Sequence, residues 1–131
     1  MIQAKNTFRF LLVLTIATTL TGCGSLLKGL VGTNNVNSVQ LAAKCQMPEA
    51  LAEVKRGENH QSDTNRALCF LLQAMYYQDM NQPDAAKALY PQIIKNAVWI
   101  KSDAEIEKEL KKMRKDLGKL RKQQGLERDC R

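Results

Sequence analysis

The side chains best suited to covalent chemistry are four cysteines, Cys23, Cys45, Cys69 and Cys130, with His60 as the sole histidine of the sequence. A thiol with an imidazole as base makes a nucleophile, but none of these cysteines carries the surrounding pattern that such chemistry uses. A single histidine excludes the two-histidine zinc motifs, and no Gly-rich phosphate loop is present. His60 stands in a polar loop and reads as solvated. Glu105 and Glu109 are spaced as helical neighbours among lysines, which is the pattern of surface ion pairs. The expectation is a non-catalytic protein with no metal and no cofactor.

Cys23 has different surroundings. Lys5 and Arg9 give a positive start, Phe10 to Leu20 is apolar, and small residues precede the cysteine, which is the order of a secretory signal. The apolar run is shorter than the roughly 20 residues a spanning helix needs, and Thr15, Thr18 and Thr19 dilute it. Leu20-Thr21-Gly22-Cys23 resembles the lipobox of bacterial lipoproteins. The resemblance implies removal of residues 1–22 and acylation of Cys23, whose several chains anchor far more firmly than one. Gly24 stands where an Asp is the usual inner-membrane retention signal of such lipoproteins. The expected location is therefore the outer membrane, lipid-anchored and facing the periplasm.

An exported domain meets an oxidising compartment, so Cys45, Cys69 and Cys130 are disulfide candidates with one thiol left over. Cys45 with Cys69 is the favoured pair, since it would pin the first helix to the second. Cys45 with Cys130 is the runner-up, and the sequence does not fix the choice.

After the signal, residues 23–44 read as lipidated cysteine and tether, because Gly24, Ser25, Gly29, Gly32, Thr33, Asn34, Asn35 and Asn37 form a polar, Gly-containing stretch. A flexible tether of this length reaches about 25 Å. Leu26, Leu27, Leu30 and Val31 are its apolar interruptions, suited to a membrane surface. Residues 45–131 then form one domain, long enough for a single core and too short for two.

That domain reads as all-α, a small bundle of about four helices, with no alternating strand pattern. Pro48 suits a first turn and Gly57 a helix end, with Leu51 and Val54 between them. Ser62 or Asp63 caps a second helix that is apolar on most sides from Ala67 to Met80. A third begins near Pro83. Phe70, Ala74, Tyr77, Ala86 and Tyr90 follow the large-small-aromatic-small-aromatic spacing of a tetratricopeptide repeat, with Asn81 at its turn, so residues 70–98 resemble one such repeat. Pro91 departs from the pattern, and should kink or break the helix by removing its bond to Lys87.

The last helix starts with a capping box, Ser102 and Glu105, and continues with Ile106, Leu110, Met113, Leu117 and Leu120 as an apolar seam. The seam packs on its own hairpin, or supports self-association or a partner helix through residues 106–120. Gly118 weakens the helix. The formal net charge is +7, and it is concentrated here: Lys108, Lys111, Lys112, Arg114, Lys115, Lys119, Arg121 and Lys122 stand against Glu109 and Asp116. The functional expectation is a membrane-anchored adaptor or assembly lipoprotein that binds a protein partner of an envelope machine such as a secretion or pilus apparatus. Tyr77, Tyr90, Lys111, Lys115 and Lys122 are its candidate contacts. The alternative is an electrostatic binder that uses the basic helix on lipid head groups, cell-wall polymer or transported nucleic acid, the last the least favoured.

Overall fold

A computed structural model describes residues 31–59 and 62–130. Cys23, the signal 1–22, residues 24–30 of the tether and His60 lie outside the described residues. The order is α1 Thr33–Ala43, α2 Met47–Arg56, α3 Asp63–Asp79, α4 Pro83–Lys87, α5 Tyr90–Asn96 and α6 Asp103–Gln123. The fold is all-α, and none of these helices is long and apolar enough to cross a membrane.

Helix α3 is the axis. Its cap is Ser62, whose hydroxyl accepts from the Asn65 N–H at 3.4 Å, and every residue from Ala67 to Tyr76 is buried. An all-round buried helix needs neighbours on all sides, and α3 touches each of the other helices.

The tether reading fails from Val31 onward. Val31, Val36, Val39, Ala42 and Ala43 are core residues, so Val31 packs inside the domain and not on a membrane. The polar residues are equally placed. Asn35 donates to the carbonyls of Val31 at 2.8 Å and Asn65 at 3.2 Å. Ser38 donates to the Asn35 carbonyl, and its oxygen lies 2.8 Å from the Tyr76 hydroxyl. Asn34 and Asn37 both donate to Glu53 of α2. Each asparagine amide that looked like solvent-loving linker satisfies a carbonyl or carboxylate of the fold.

Three helices end in the same device. Cys45, Asn81 and Gly125 follow α1, α3 and α6 with φ of 60°, 61° and 77°. In each case the left-handed residue donates three residues back and its successor donates five back, as with Asn81 to Gln78 and Gln82 to Tyr77. Asn and Gly are the usual residues there, while a cysteine bears the steric cost of a Cβ. Between α4 and α5 the chain breaks at Ala88 and Leu89, and Pro91 stands in the first turn of α5. The break is the one expected of a proline that has no N–H to give Lys87.

Helix α6 closes the domain. Ser102 caps it, accepting from Glu105 N at 3.3 Å, and Glu105 in turn accepts from Lys101 N. The seam of Ile106, Leu110, Met113, Leu117 and Leu120 is buried against α3, α1 and α5. Its side chains are thus spent within the domain, not held out for self-association. Glu109, read from spacing as surface charge, is also buried.

Arg121 is 1% exposed, although it belongs to the basic run. Its guanidinium meets Asp79 through both arms, at 3.2 and 2.8 Å. Nε donates to the Ala42 carbonyl at 3.1 Å, and the remaining donors reach the Arg128 carbonyl and Met47 Sδ, both at 3.2 Å. A guanidinium has five N–H groups, and all of them are engaged. Beyond α6 the chain doubles back, so that the Arg128 side chain crosses Gly118. A Cβ at Gly118 would lie 2.6 Å from Arg128 Cγ. Gly118 therefore makes room for the tail.

Two outcomes follow from these contacts. Asp79→Ala strands a buried cation and should cost about 3 to 5 kcal/mol, whereas Asp79→Leu combined with Arg121→Met should recover most of that loss; urea melts of the three proteins measure both. Gly118→Ala gains up to about 1 kcal/mol of helix propensity but collides with a tail that Cys130 ties down. It should lower the melting temperature of the oxidised protein and cease to do so once the protein is reduced.

Candidate binding surfaces

The pairing of the cysteines is the runner-up and not the favoured one. Cys45 bonds Cys130 with their Cα atoms 5.4 Å apart, and Cys69 is a free, buried thiol. The reason lies in the turn after α1. The left-handed conformation of Cys45 turns its side chain toward the returning tail, while Cys69 faces α2 and donates to the Val54 carbonyl at 3.3 Å. The α2 to α3 link expected of a disulfide is made by this hydrogen bond. The observed bridge closes an 85-residue separation, worth about 4.5 kcal/mol on loop-entropy grounds.

Cys69 is not set up as a nucleophile. Burial pushes its thiol from 9.0 up to about 11, opposed by a hydrogen bond from Gln73, with Glu58 raising it further and Arg66 lowering it. A reactive cysteine needs the opposite shift. Among the described residues no group of three or more His, Cys, Asp or Glu could hold a metal ion.

The two aromatic candidates separate. Tyr90 is 4% exposed and is part of the core, so it is withdrawn as a contact surface. Burial and then the carboxylates of Glu107 and Asp103 push its phenol up, against a hydrogen bond with Gln78. Tyr77 is half-buried and receives a 2.8 Å hydrogen bond from Lys55. The Lys55 nitrogen is 5.4 Å from the ring centroid, which places it out beyond the phenol oxygen, so the contact is a hydrogen bond more than a cation over a ring face. Ala74 and Ala86 are both fully buried, on the two arms of the α3–α4 hairpin.

The lysine candidates stay on the surface. Lys111, Lys115 and Lys122 are exposed, and so are Lys108 and Lys119. These five recur at steps of three, four, four and three along α6, which places them on one face. At 3.6 residues per turn that face is opposite the buried seam, and it runs for about 21 Å. Among the described residues the ion pairs are Arg56 with Glu53, Arg66 with Asp63 and Arg121 with Asp79; none involves these lysines. The basic run therefore divides by direction: Arg121 turns inward to Asp79, and the stripe turns out.

Position matters as well. Asn35 near the start of α1 bonds Asn65 near the start of α3, while Arg121 near the end of α6 bonds Asp79 at the end of α3. The described chain thus joins the fold at one end of α3, and α6 crosses the other, about 25 Å away along its length. At that far end Gln78, Asn81, Pro83, Glu107, Lys111 and Arg114 line an open groove of about 460 Å³. A second groove of about 860 Å³ includes Glu58, Arg66, Phe70, Leu89 and the exposed Val98. Of Tyr77, Lys111, Lys115 and Lys122, Lys111 alone lines either of these two grooves. Arg114 and Gln78 were not singled out by sequence, although the step of three from Lys111 to Arg114 was there to read.

No protein family, curated protein or solved structure matches the chain.

The buried thiol generates a pH expectation. Between about pH 9 and 11 the folded protein keeps the Cys69 proton that the unfolded chain has released, so stability is unaffected below that window and falls as pH rises through it, by roughly 1.4 kcal/mol per unit. Tyr76, also raised by burial, adds to the loss at higher pH. Urea melts at about pH 8 and about pH 10.5 should show the decline, and Cys69→Ala should make it shallower. At neutral pH, iodoacetamide should label Cys69 only after denaturation.

Proposed function

We propose that this chain is a non-catalytic, lipid-anchored adaptor of the bacterial outer membrane, which docks a protein of the envelope through the lysine face of α6. The observation that carries the reading is that face: exposed lysines on one side of a helix whose other side is locked into the core. Such a helix presents fixed charges, which steer and orient a partner more effectively than charges on a mobile tail.

Three further points support it. Leu20-Thr21-Gly22-Cys23 resembles a lipobox, which places an anchor shortly before the domain. The lysine face lies at the end of α3 remote from where residue 31 joins the fold, and so favours another envelope component over the protein's own membrane. Phe70, Ala74, Tyr77, Ala86 and Tyr90 resemble the spacing of a tetratricopeptide repeat, a fold-level analogy to modules that hold protein partners. The same face would suit lipid head groups or an anionic polymer, and the test separates these.

The natively lipidated protein, crosslinked in cells and recovered with its neighbours, should retain one envelope protein. Replacing Lys111, Lys115 and Lys122 together with Gln should abolish that recovery without lowering the melting temperature, because surface charges of this kind contribute little to stability. Recovery unaffected by the three changes would refute the reading. Mass spectrometry of the same preparation should show cleavage before Cys23 and acyl chains on it; a Cys23→Ser chain that is still processed would remove the anchor from the proposal.

A further inference from the structure

The groove at the far end of α3 is contiguous with the lysine face through Lys111, and its chemistry narrows the partner. The geometry points to this groove as a docking site for an extended, acidic segment of a partner protein, an inference that rests on the adaptor reading above.

One wall is α6, which contributes Lys111 and Arg114, separated by one helical turn, with Glu107 at the end nearer the start of α6. The other wall is the last turn of α3 and the start of α4, with Gln78, Asn81 and Pro83. Two cations on one side attract carboxylates, and Arg114 can take one in bidentate fashion. Gln78 and Asn81 are amides, able both to donate to and accept from a peptide backbone. Gln78 lies on the last turn of α3, and Asn81 is fixed by the left-handed turn that follows it. Pro83 offers an apolar surface with no N–H to leave unsatisfied. Glu107 makes the site uneven, repelling an acidic residue at one end and accepting an N–H there, which gives an extended segment a preferred direction.

These features select against the other anionic partners. A bilayer is flat and cannot enter a groove between two helices, so it would meet the five lysines and leave Gln78 and Asn81 idle. A phosphate polymer presents charge without backbone amides and would be repelled by Glu107. The volume of about 460 Å³ lies within the range of ligand clefts, and the lysine stripe continues the positive field beyond it for flanking acidic residues.

The test uses the full lipidated protein in neutral detergent and a fluorescein-labelled peptide of alternating Glu and Ser, followed by anisotropy. Binding should saturate, and the same peptide with Gln in place of Glu should not bind. Gln78→Ala with Arg114→Gln removes groove contacts and should weaken binding by about tenfold or more, as expected for a lost charge-assisted hydrogen bond. Lys108→Gln with Lys119→Gln, which lie outside the groove, should weaken it by less than about fivefold. Arg114, Lys108 and Lys119 are exposed and Gln78 is half-buried, and unchanged melting temperatures would establish that the folds are intact. Equal effects of the two pairs would overturn the groove and leave the lysine face standing. Failure of the peptide to bind, with phosphatidylglycerol vesicles captured instead through Lys108 and Lys119, would overturn the groove and the choice of a protein partner together.

Discussion

Arg121 and Asp79 hold together the parts of this domain that chain order would leave apart. The guanidinium draws the last turn of α6 onto the end of α3, the end of α1, the beginning of α2 and the returning tail. A buried charge of this kind is weak evidence of net stabilisation, because desolvation offsets much of the attraction. Its effect is selective. With every N–H engaged, few other arrangements of these helices would satisfy the same five donors, and each unsatisfied one would cost about 1 to 3 kcal/mol. The pair therefore discriminates against misregistered packing of α6, whose seam of aliphatic side chains would tolerate a shift by one heptad far better than the arginine would.

The tail depends on that anchor. Arg121 donates to the Arg128 carbonyl, Gly118 clears a path for the Arg128 side chain, and Cys130 then reaches Cys45. The left-handed conformation at Cys45 is an uncommon place for a residue with a Cβ, and it is the conformation that turns the thiol out of α1 toward the tail. The helix end carries backbone strain, and the covalent bond holds it in place. Cys69, meanwhile, is free to act as a small core residue with a hydrogen bond to Val54, so the chain has one bridge and no exposed thiol among its described residues.

Legibility in the sequence followed the range of the interaction. Local signals were legible: the Ser102 cap, a cap at Ser62 or Asp63 of which Ser62 is the one used, the seam of α6, the apolar girth of α3 and a kink or break at Pro91 each depend on residues within a few positions of one another. Long-range ones were not. Asn34, Asn35 and Asn37 look like linker in isolation, since their partners Glu53 and Asn65 are distant in sequence, and only Val36, Val39 and Ala43 at helical spacing betrayed α1. The cysteine connectivity turned on a backbone conformation at Cys45 that no neighbouring residue announces. Arg121 was indistinguishable from the lysines around it except by phase, because it falls next to the seam at Leu117 and Leu120 and they fall opposite. Counting the basic run as one patch missed this; projecting it on the helix separates an inward arginine from an outward stripe. Of the proposed contacts, the lysines were legible for the same reason that Tyr90 was not: exposure of a charged stripe follows from helical phase, whereas an aromatic at repeat-like spacing can fill a core as readily as a groove.

The burial of the seam changes what the charged face can do. An amphipathic helix with a loose apolar side would offer its partner two competing surfaces, and its charges would move with it. Here Ile106, Leu110, Met113, Leu117 and Leu120 are committed to the interior and Arg121 fixes the helix along its axis, so the exposed lysines keep their spacing. Fixed positive charge recruits strongly at long range but selects poorly, since any anion answers it. Selection has to come from groups that recognise shape and backbone, and the place where amides and an opposing carboxylate adjoin the stripe is the groove beside Lys111 and Arg114. On the proposed reading the two surfaces divide the work of association: the stripe supplies rate, and the groove supplies the direction and identity of what is bound.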